Sequence, residues 1–387
     1  MKEVIESLRN AREYAHSIKT DDLLEYLEKV GEKIGIKEIK KFISKDNLKL
    51  MMDIALRGNY RVLDEFMTLK DGRLYHAQPR GLAVHWVAGN VENLGIYSII
   101  QAMITKNVSL VRTSSSSYQG LKKLLDNFSA VNTNKINGKE FSKTFALVLV
   151  DSKDKEKNEE MSKAADIRIA WGGYEAIEAI TNYKKNIFCE DIVYGPKYSY
   201  AVVDKENANS DSARKLAFDI STFDQTACSS PHTIFVEERA LDFAKLLAQE
   251  LDKVNRLMIP KGHTEPGKKM EILSARAEGI IKGQVFSSEN TDWTVIYSEE
   301  IGLAQPCFSR VAFVKPLKDL NLKGLNTRHQ QTVGLAMKNN SREDFVDNLT
   351  MFGADRCPKV GEMTLFGSPW DGMFAIDRMV RWIVTWK

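Results

Sequence analysis

Residues 81–90 read Gly-Leu-Ala-Val-His-Trp-Val-Ala-Gly-Asn, an apolar run that stops at a small residue and an amide. Such a run, bounded by glycine, is typical of a strand that is buried on both faces of a sheet. An apolar helical segment over 94–104 follows it, and then a second strand over 108–111. A strand, a crossover helix and another strand predict two parallel neighbours in one sheet.

The alternation of strands and helices continues after this pair. It adds strands over 145–150 and 165–170 and helices over about 118–128, 153–164 and 174–182. A second unit starts near Gly195-Pro196, with strands at 198–203, 233–236, 285–286, 293–297 and 311–314 and helices over 210–223 and 238–254. Residues 1–66 instead carry apolar side chains at helical spacing. The sequence therefore predicts an α/β protein with two parallel-sheet domains and an N-terminal helical segment.

The composition and charge favour a small-molecule partner. The chain has 387 residues, enough for two domains, and 55 basic against 52 acidic residues give a net charge of +3. This balance provides no general attraction to nucleic acid, so we expect no nucleic-acid partner. Polar side chains interrupt the apolar stretch 81–104, so we predict no membrane span. No secretion signal opens the sequence, and we expect a cytoplasmic protein.

The four cysteines are widely spaced and form neither a CxxC motif nor a Cys/His cluster: Cys189, Cys228, Cys307 and Cys357. An even number of cysteines fits a disulfide framework, but a large chain without a signal peptide usually keeps its thiols reduced. The spacing also gives no metal-ligand pattern, so we predict no metal site.

Small or polar residues end three of the predicted parallel strands. The strand ends are Gly89-Asn90, Arg112-Thr113-Ser114 and Trp171-Gly172-Gly173. In parallel sheets ligands bind beyond the carboxyl ends of the strands, so we predict a nucleotide there. The two glycines would let the backbone approach a pyrophosphate at a helix N-terminus. The sequence lacks both GxGxxG and GxxxxGK[ST], which indicates a less common type of nucleotide site.

Cys228 and Asn90 are the two candidates for catalysis. Cys228 lies among small residues between a helix and a strand, which suits a nucleophile, but a lone cysteine of this kind is more often a buried core thiol. His232 follows four residues later at the mouth of a strand, with no special geometry for a Cys/His pair. Asn90 fits a turn former as well as an amide donor aimed at an oxyanion. The residues alone leave both alternatives open.

Four segments, in their order along the chain, resemble the LuxC-type acyl-CoA reductases, a branch of the aldehyde dehydrogenase superfamily. The most specific is Gln225-Thr-Ala-Cys228-Ser-Ser-Pro231, which is similar to the nucleophile segment of the family. The others are the strand 81–90 with its oxyanion Asn, the strand 106–114 with its end at the adenosine ribose, and Gly195-Pro196-Lys197, where the superfamily has Gly-Gly-Lys. A weaker similarity to the family occurs at Trp370-Asp371-Gly372.

The resemblance implies an aldehyde dehydrogenase-like fold with two Rossmann-like domains. It divides the chain into an N-terminal helical segment (1–66), a dinucleotide-binding domain (67–194), a catalytic domain with the nucleophile (195–355) and a C-terminal tail (356–387). Cys228 becomes the expected nucleophile and Asn90 the expected oxyanion donor. The strand ends of the first domain become the expected cofactor-binding residues, namely Arg112, Thr113, Ser114, Trp171, Gly172 and Gly173.

Two departures from the superfamily pattern refine this expectation. Hydrolytic aldehyde dehydrogenases have a water-activating Glu where this sequence has Val193, although Asp191 lies on the same strand face and is a candidate substitute. Arg112 replaces the usual Lys, and Ser115 stands where NAD-preferring relatives often carry a Glu. A cation without a carboxylate favours a 2′-phosphate, so we expect NADP(H) rather than NAD; a solvated strand-end charge is the alternative for Arg112.

The expected activity is NADPH-dependent reduction of an acyl thioester, either acyl-CoA or acyl-protein, to an aldehyde through an acyl-Cys228 intermediate. The resemblance also implies an acyl-protein synthetase partner, and superfamily analogy suggests a homo-oligomer. One alternative is an aldehyde dehydrogenase that acts oxidatively. The other is a catalytically idle scaffold for the synthetase. The sequence is shorter than typical LuxC proteins, which leaves the acyl chain length open.

Overall fold

The structure is a computed structural model, and it describes residues 1–87, 94–320, 330–338, 342–351 and 353–386. The chain forms two compact units. The first unit contains Met1–Gly195 and Phe366–Lys387, and the second contains Pro196–Leu365. Residues 356–365 thus belong to the second unit and residues 366–387 to the first.

Five helices form the N-terminal part of the first unit: α1 (Lys2–Asn10), α2 (Arg12–Ser17), α3 (Thr20–Ile34), α4 (Lys37–Ile43) and α5 (Lys45–Ala55). The longest, α3, begins at Thr20, whose amide and hydroxyl both donate to the carboxylate of Asp64. It ends at Gly35, which adopts a left-handed φ of 72°. Leu24 and Leu27 on its inner face are fully buried. Burying each such side chain contributes about 2 kcal/mol.

A five-stranded parallel sheet forms the centre of the first unit. Its strands are β3 (Leu82–Trp86), β4 (Val108–Thr113), β5 (Phe145–Leu149), β6 (Ile167–Trp171) and β7 (Glu190–Tyr194). Their order across the sheet is β5-β4-β3-β6-β7. The chain therefore reverses its direction of winding between β3 and β6, and ligands of doubly wound sheets bind at such a switch point.

Crossover helices connect these strands: α6 (Gly95–Ile104), α7 (Ser115–Ser129), the short α8 (Gly138–Phe141), α9 (Lys155–Ala164) and α10 (Tyr174–Asn182). A small antiparallel sheet completes the unit, with β1 (Met67–Thr68), β2 (Leu74–Pro79) and the C-terminal β14 (Val380–Thr385) in the order β1-β2-β14. The short helix α15 (Ala375–Arg378) precedes β14. The sequence patterns predicted the parallel strands but missed this antiparallel sheet.

The second unit contains a six-stranded sheet in the order β10-β11-β12-β9-β8-β13. The strands are β8 (Tyr198–Val203), β9 (Pro231–Val236), β10 (Gly283–Ser287), β11 (Thr294–Ser298), β12 (Val311–Pro316) and β13 (Gln330–Ala336). All neighbours are parallel except β10 and β11. The helices are α11 (Ser210–Ser221), α12 (Ala240–Leu257), α13 (Pro266–Lys282) and α14 (Arg342–Thr350).

The predicted α/β class with parallel sheets and N-terminal helices is confirmed. The sequence patterns missed α13 and β13 in the second unit. Over the described ranges, no helix combines the length and the apolar character needed to cross a membrane.

Candidate active site

Cys228 lies in a turn between a 3₁₀ segment, Thr222–Gln225, and strand β9. The three residues Phe223, Asp224 and Gln225 all have left-handed backbone angles, with φ of 55°, 47° and 63°. Residues other than glycine rarely adopt this conformation, and three in succession are sterically unfavourable. Tertiary contacts must therefore hold the approach to Cys228 in this shape.

Gln225 provides the first of these contacts. Its side chain is fully buried, and its Nε2 donates to the carbonyl of Pro231 at 2.7 Å. Its Oε1 accepts from the amide of Val311 at 2.9 Å. One side-chain amide thus ties the start of the Cys228 turn to the first residue of β9 and of β12, which a donor-only or acceptor-only side chain cannot do.

An ion pair between Asp224 and Arg310 provides the second contact. The Nε and Nη2 atoms of Arg310 each lie 2.6 Å from Oδ1 of Asp224, and Arg310 is 1% exposed. Arg310 Nη1 also donates to Asn255 and to the carbonyl of Ile259. The backbone carbonyl of Asp224 accepts from the amide of Ser309 at 3.0 Å. Charge-assisted hydrogen bonds of the buried Arg310 guanidinium therefore help to hold the Cys228 turn in place.

Residues 308–310, which include the hydrogen-bond partners of Asp224, also have an unusual backbone conformation. Phe308, Ser309 and Arg310 also have left-handed φ angles of 56°, 53° and 61°. Lys261 supports them, since its Nζ donates to the carbonyls of Ser309 at 2.9 Å and Thr291 at 2.8 Å. Burial lowers the pKa of the Lys261 ammonium to about 8.

Cys228 itself is partly exposed and lies at the edge formed by the amino ends of β8, β9 and β13. The buried hydroxyl of Ser199, on β8, donates to the Cys228 carbonyl at 2.6 Å. Nε2 of Gln331, on β13, lies 3.2 Å from the Cys228 Sγ. A thiol that is accessible while its backbone is fixed suits a nucleophile. Sequence reasoning missed both Ser199 and Gln331.

His232 does not take the place of a catalytic base in this arrangement. Its ring is buried and packs edge-on against Phe308, with ring centroids 5.0 Å apart, and at 5.4 Å from Tyr198. Burial lowers the pKa of His232 to about 4, so the ring is neutral at neutral pH. Its environment is that of a core histidine.

Arg112, Thr113 and Ser114 end strand β4 in the first unit. Oγ1 of Thr113 is buried and has no hydrogen-bond partner within the described ranges. Arg112 is partly buried, and its Nε donates to the carbonyl of Val150 at 2.8 Å. Ser114 precedes α7 and shares a hydrogen bond with Ser116. A buried hydroxyl without a partner is rare, and a bound polar ligand would satisfy it.

Trp171, Gly172 and Gly173 connect strand β6 to helix α10. The Trp171 ring is buried and stacks on Tyr194 with ring centroids 3.7 Å apart, while its Nε1 donates to the hydroxyl of Ser98. Its side chain therefore supports the strand end. A Cβ at Gly172 would lie 2.9 Å from the Cβ of Ala176, whereas the space at Gly173 is open. Gly173 immediately precedes the N-terminus of α10, where backbone amides attract anions.

Three further predicted positions complete the comparison with the sequence. Asn90 lies outside the described residues. Val193 is partly buried on β7, and Lys197 forms an ion pair with Asp355. Over the described ranges, no group of three or more His, Cys, Asp or Glu is arranged to hold a metal ion.

Asp191 faces two cations. Its carboxylate accepts from Nε and Nη2 of Arg168, each at 2.7 Å, and from Lys185 at 2.7 Å. Burial alone would raise the pKa of Asp191, but these hydrogen bonds outweigh it and lower the pKa. A carboxylate held in this way is a weak base.

Comparison with known proteins assigns the family. The family model described as acyl-CoA reductase (LuxC) matches residues 1–382. The chain belongs to the LuxC family. The sequence-based recognition of a LuxC-type protein is thereby confirmed.

The similar proteins include two long-chain acyl-protein thioester reductases. The chain is 27% identical over 332 residues to the long-chain acyl-protein thioester reductase of Aliivibrio fischeri, which covers 84% of this chain and 68% of that protein. It is 29% identical over 329 residues to the long-chain acyl-protein thioester reductase 2 of Photobacterium leiognathi, with 83% and 67% covered.

Solved structures with the same fold include aldehyde dehydrogenases. Aldehyde dehydrogenase 21 of Physcomitrella patens, in complex with succinate, matches with a TM-score of 0.71 at 12% identity, over 99% of this chain and 89% of that one. Aldehyde dehydrogenase C of Pseudomonas syringae, in complex with NAD⁺ and octanal, matches with a TM-score of 0.70 at 11% identity, over 99% and 87%. The expected aldehyde dehydrogenase-like fold is confirmed.

Proposed function

We propose that this LuxC-family chain reduces an acyl thioester to an aldehyde and that Cys228 carries the acyl group during the reaction. The supporting observation is the geometry around Cys228. The thiol is partly exposed, its backbone is fixed by Ser199, and an amide nitrogen approaches its sulfur. The relatives named long-chain acyl-protein thioester reductases support the reaction class.

The first half of the reaction is acyl transfer. The Sγ thiolate of Cys228 attacks the carbonyl carbon of the thioester, and a new C–S bond forms while the carbonyl oxygen becomes an oxyanion. The backbone N–H of Cys228 and the amide of Asn90 are the expected donors to that oxyanion. Collapse of the tetrahedral species breaks the original C–S bond and releases the thiol of CoA or of a carrier protein. Loss of one oxyanion donor typically costs about 10²–10³ in rate.

The acyl-Cys228 thioester must then avoid hydrolysis. Val193 offers no base where hydrolytic aldehyde dehydrogenases carry a Glu. The other carboxylates of strand β7 are engaged, since Asp191 binds Arg168 and Lys185 while Glu190 binds Arg378. General-base activation of water requires a carboxylate with an accessible lone pair and a suitable pKa. Asp191 is therefore a poor substitute, which favours reduction over acid release.

The strand ends of the first unit fit a nicotinamide dinucleotide. The sheet has the doubly wound order with a switch point, and Gly173 opens the N-terminus of α10. The buried hydroxyl of Thr113 has no hydrogen-bond partner among the residues that the structure describes. When bound, a reduced nicotinamide cofactor would supply the hydride that converts the acyl group to an aldehyde. Cys228 Sγ then leaves as the restored thiolate. Arg112, without a carboxylate at Ser115, favours NADPH over NADH.

Product analysis tests this function. We expect the protein to form aldehyde from a long-chain acyl-CoA or acylated carrier protein and NADPH, with one NADPH oxidised per aldehyde. Incubation with aldehyde and NADP⁺ without a thiol acceptor should give no steady production of acid. Steady acid production would support an oxidative aldehyde dehydrogenase instead.

The proposed function also includes protein partners. An acyl-protein synthetase as acyl donor and a homo-oligomeric assembly both belong to this proposal. A protein that binds a synthetase but never forms an acyl-Cys228 thioester would be the idle scaffold, and that result would contradict the proposed activity.

A further inference from the structure

We infer that Gln331 is a catalytic residue whose side-chain amide donates a hydrogen bond to the Cys228 sulfur and stabilises the thiolate. The inference deepens the proposed function and rests on it for the role of Cys228 as nucleophile. Its physical basis is the approach of Nε2 of Gln331 to within 3.2 Å of Sγ. This separation is short for a hydrogen bond to sulfur.

The backbone of Gln331 is fixed from two directions. Its carbonyl accepts from the amides of Asp355 at 3.0 Å and Arg356 at 2.9 Å. The amide of the next residue, Thr332, donates to the hydroxyl of Ser199 at 3.2 Å, and the same hydroxyl holds the Cys228 carbonyl. One serine therefore sets the distance between the strand that carries Gln331 and the turn that carries the thiol. The side chain of Gln331 is also fully buried, which restricts its rotamers.

A short chain of hydrogen bonds orients the Gln331 amide. Nη1 of Arg356 donates to the Thr332 hydroxyl at 3.1 Å. That hydroxyl in turn donates to Oε1 of Gln331 at 3.4 Å. Since Oε1 is engaged by a donor, the NH₂ end of the amide faces the sulfur. The cationic guanidinium at the start of the chain polarises the donors in the same sense.

This arrangement suits a thiolate better than a thiol. A hydrogen bond that favours the charged form lowers the pKa of the acceptor. Reactive cysteines in other proteins depend on positive charge or N–H dipoles for this purpose. His232, the nearest histidine in the sequence, is packed against Phe308 and Tyr198. The neutral Gln331 amide supplies a dipole whose strength does not change with pH.

The pH dependence of alkylation tests the inference without requiring any enzymatic activity. The rate of iodoacetamide modification is measured at Cys228 by peptide mass spectrometry, because the chain has four cysteines. We expect Gln331→Met to raise the apparent pKa of Cys228 by about one unit, which lowers the rate at neutral pH by about five- to tenfold. Gln331→Glu should lower the rate further, since its negative charge opposes the thiolate.

Two more variants complete the design. Gln330→Met removes the neighbouring buried amide and should leave the alkylation profile of Cys228 unchanged. Thr332→Val removes the hydroxyl that orients the Gln331 amide and should raise the pKa by a smaller amount. If Gln331→Met does not fold, as judged by circular dichroism, Thr332→Val and Gln331→Glu decide the outcome.

An unchanged profile in folded Gln331→Met, or a pKa that falls, would overturn the inference. A failure of the proposed function can be distinguished from a failure of this inference. If acyl-CoA leaves no adduct on wild-type Cys228 while the pKa still shifts in Gln331→Met, only the function is wrong. If the adduct forms and the profiles are identical, only the role of Gln331 is wrong.

Discussion

The turn around Cys228 and the strand ends of the first unit have opposite construction. The turn contains three left-handed residues and is held by Gln225, Arg310 and Ser199 through buried hydrogen bonds. The strand ends present open space at Gly173 and, at Thr113, a buried hydroxyl that has no hydrogen-bond partner in the described part of the chain. A reacting atom needs a fixed position before substrate arrives, whereas a site for a large cofactor needs space and donors that the ligand completes. The first region is therefore preorganised, and the second is prepared for occupation.

Replacement of the Cys228 thiol tests whether the preorganised turn carries the reacting atom. Cys228→Ser should lower aldehyde formation by at least about 10³-fold, because a hydroxyl is a far weaker nucleophile than a thiolate at neutral pH. Thermal unfolding should change little. Cys307→Ser is the matched control, and we expect it to retain activity. Substantial activity in Cys228→Ser would show that Cys228 is not the nucleophile.

The next effect concerns the support of the turn. Asp224→Ala leaves the buried Arg310 guanidinium without its carboxylate partner and should lower the free energy of unfolding by about 2–3 kcal/mol, below the full cost of breaking a buried pair because Asp224 is partly exposed. Urea denaturation measures this change. Asp126→Ala, which breaks the exposed pair with Lys122, should lower the free energy of unfolding much less, because solvent screens that pair. Equal costs in the two variants would show that the turn is not specially braced.

A pH effect of smaller size comes from His232 beside the turn. Burial lowers its pKa from 6.5 to about 4 in the folded protein, so the unfolded chain binds the proton first as the pH falls. This contribution to stability is therefore lost as the pH drops below 6.5, by about 2 kcal/mol at about pH 5. His232→Phe should flatten the stability profile in this range, while His263→Gln, at an exposed position, should not. Identical profiles for wild type and His232→Phe would contradict the burial of a neutral ring.

The smallest effect tests the open strand ends. Arg112→Gln should raise KM for NADPH by about tenfold and leave KM for NADH nearly unchanged, since it removes one charge-assisted contact with a 2′-phosphate. Lys122→Gln, which removes a surface charge from α7, serves as the control. The alkylation rate of Cys228 should be the same in both variants. An equal change for both cofactors would assign Arg112 a structural role at Val150 instead.

The sequence predicted those features that arise from local patterns. Apolar runs that end in small residues identified β3, β4 and β6, and the Gln225–Pro231 segment identified the Cys228 turn. Val193 was placed on the same face of β7 as Asp191 by the period of two residues, which the burial pattern of that strand matches. Local periodicity is sufficient for such features because each depends on neighbours in sequence.

Features that depend on distant residues escaped prediction. Gln331 reaches Cys228 across 103 residues, so no local pattern in the sequence connects the two side chains. Strand β14 pairs with β2 from the other end of the chain, so no sequence window contains both. The paired state of Asp191 likewise required the structure, since Arg168 meets it from the neighbouring strand. Trp171 was expected at the cofactor site, yet its ring stacks on Tyr194, because a strand-end residue can face either the ligand or the core.

The mass of the adduct on Cys228 shows most directly whether this cysteine carries the acyl group. The protein is incubated with a long-chain acyl-CoA or acylated carrier protein in the absence of cofactor, and the Cys228 peptide is analysed by mass spectrometry. We predict a mass increase equal to the acyl group, persistent in buffer and lost on addition of NADPH as aldehyde appears. An unmodified Cys228, or an adduct that decays to free acid before NADPH is added, would contradict the account.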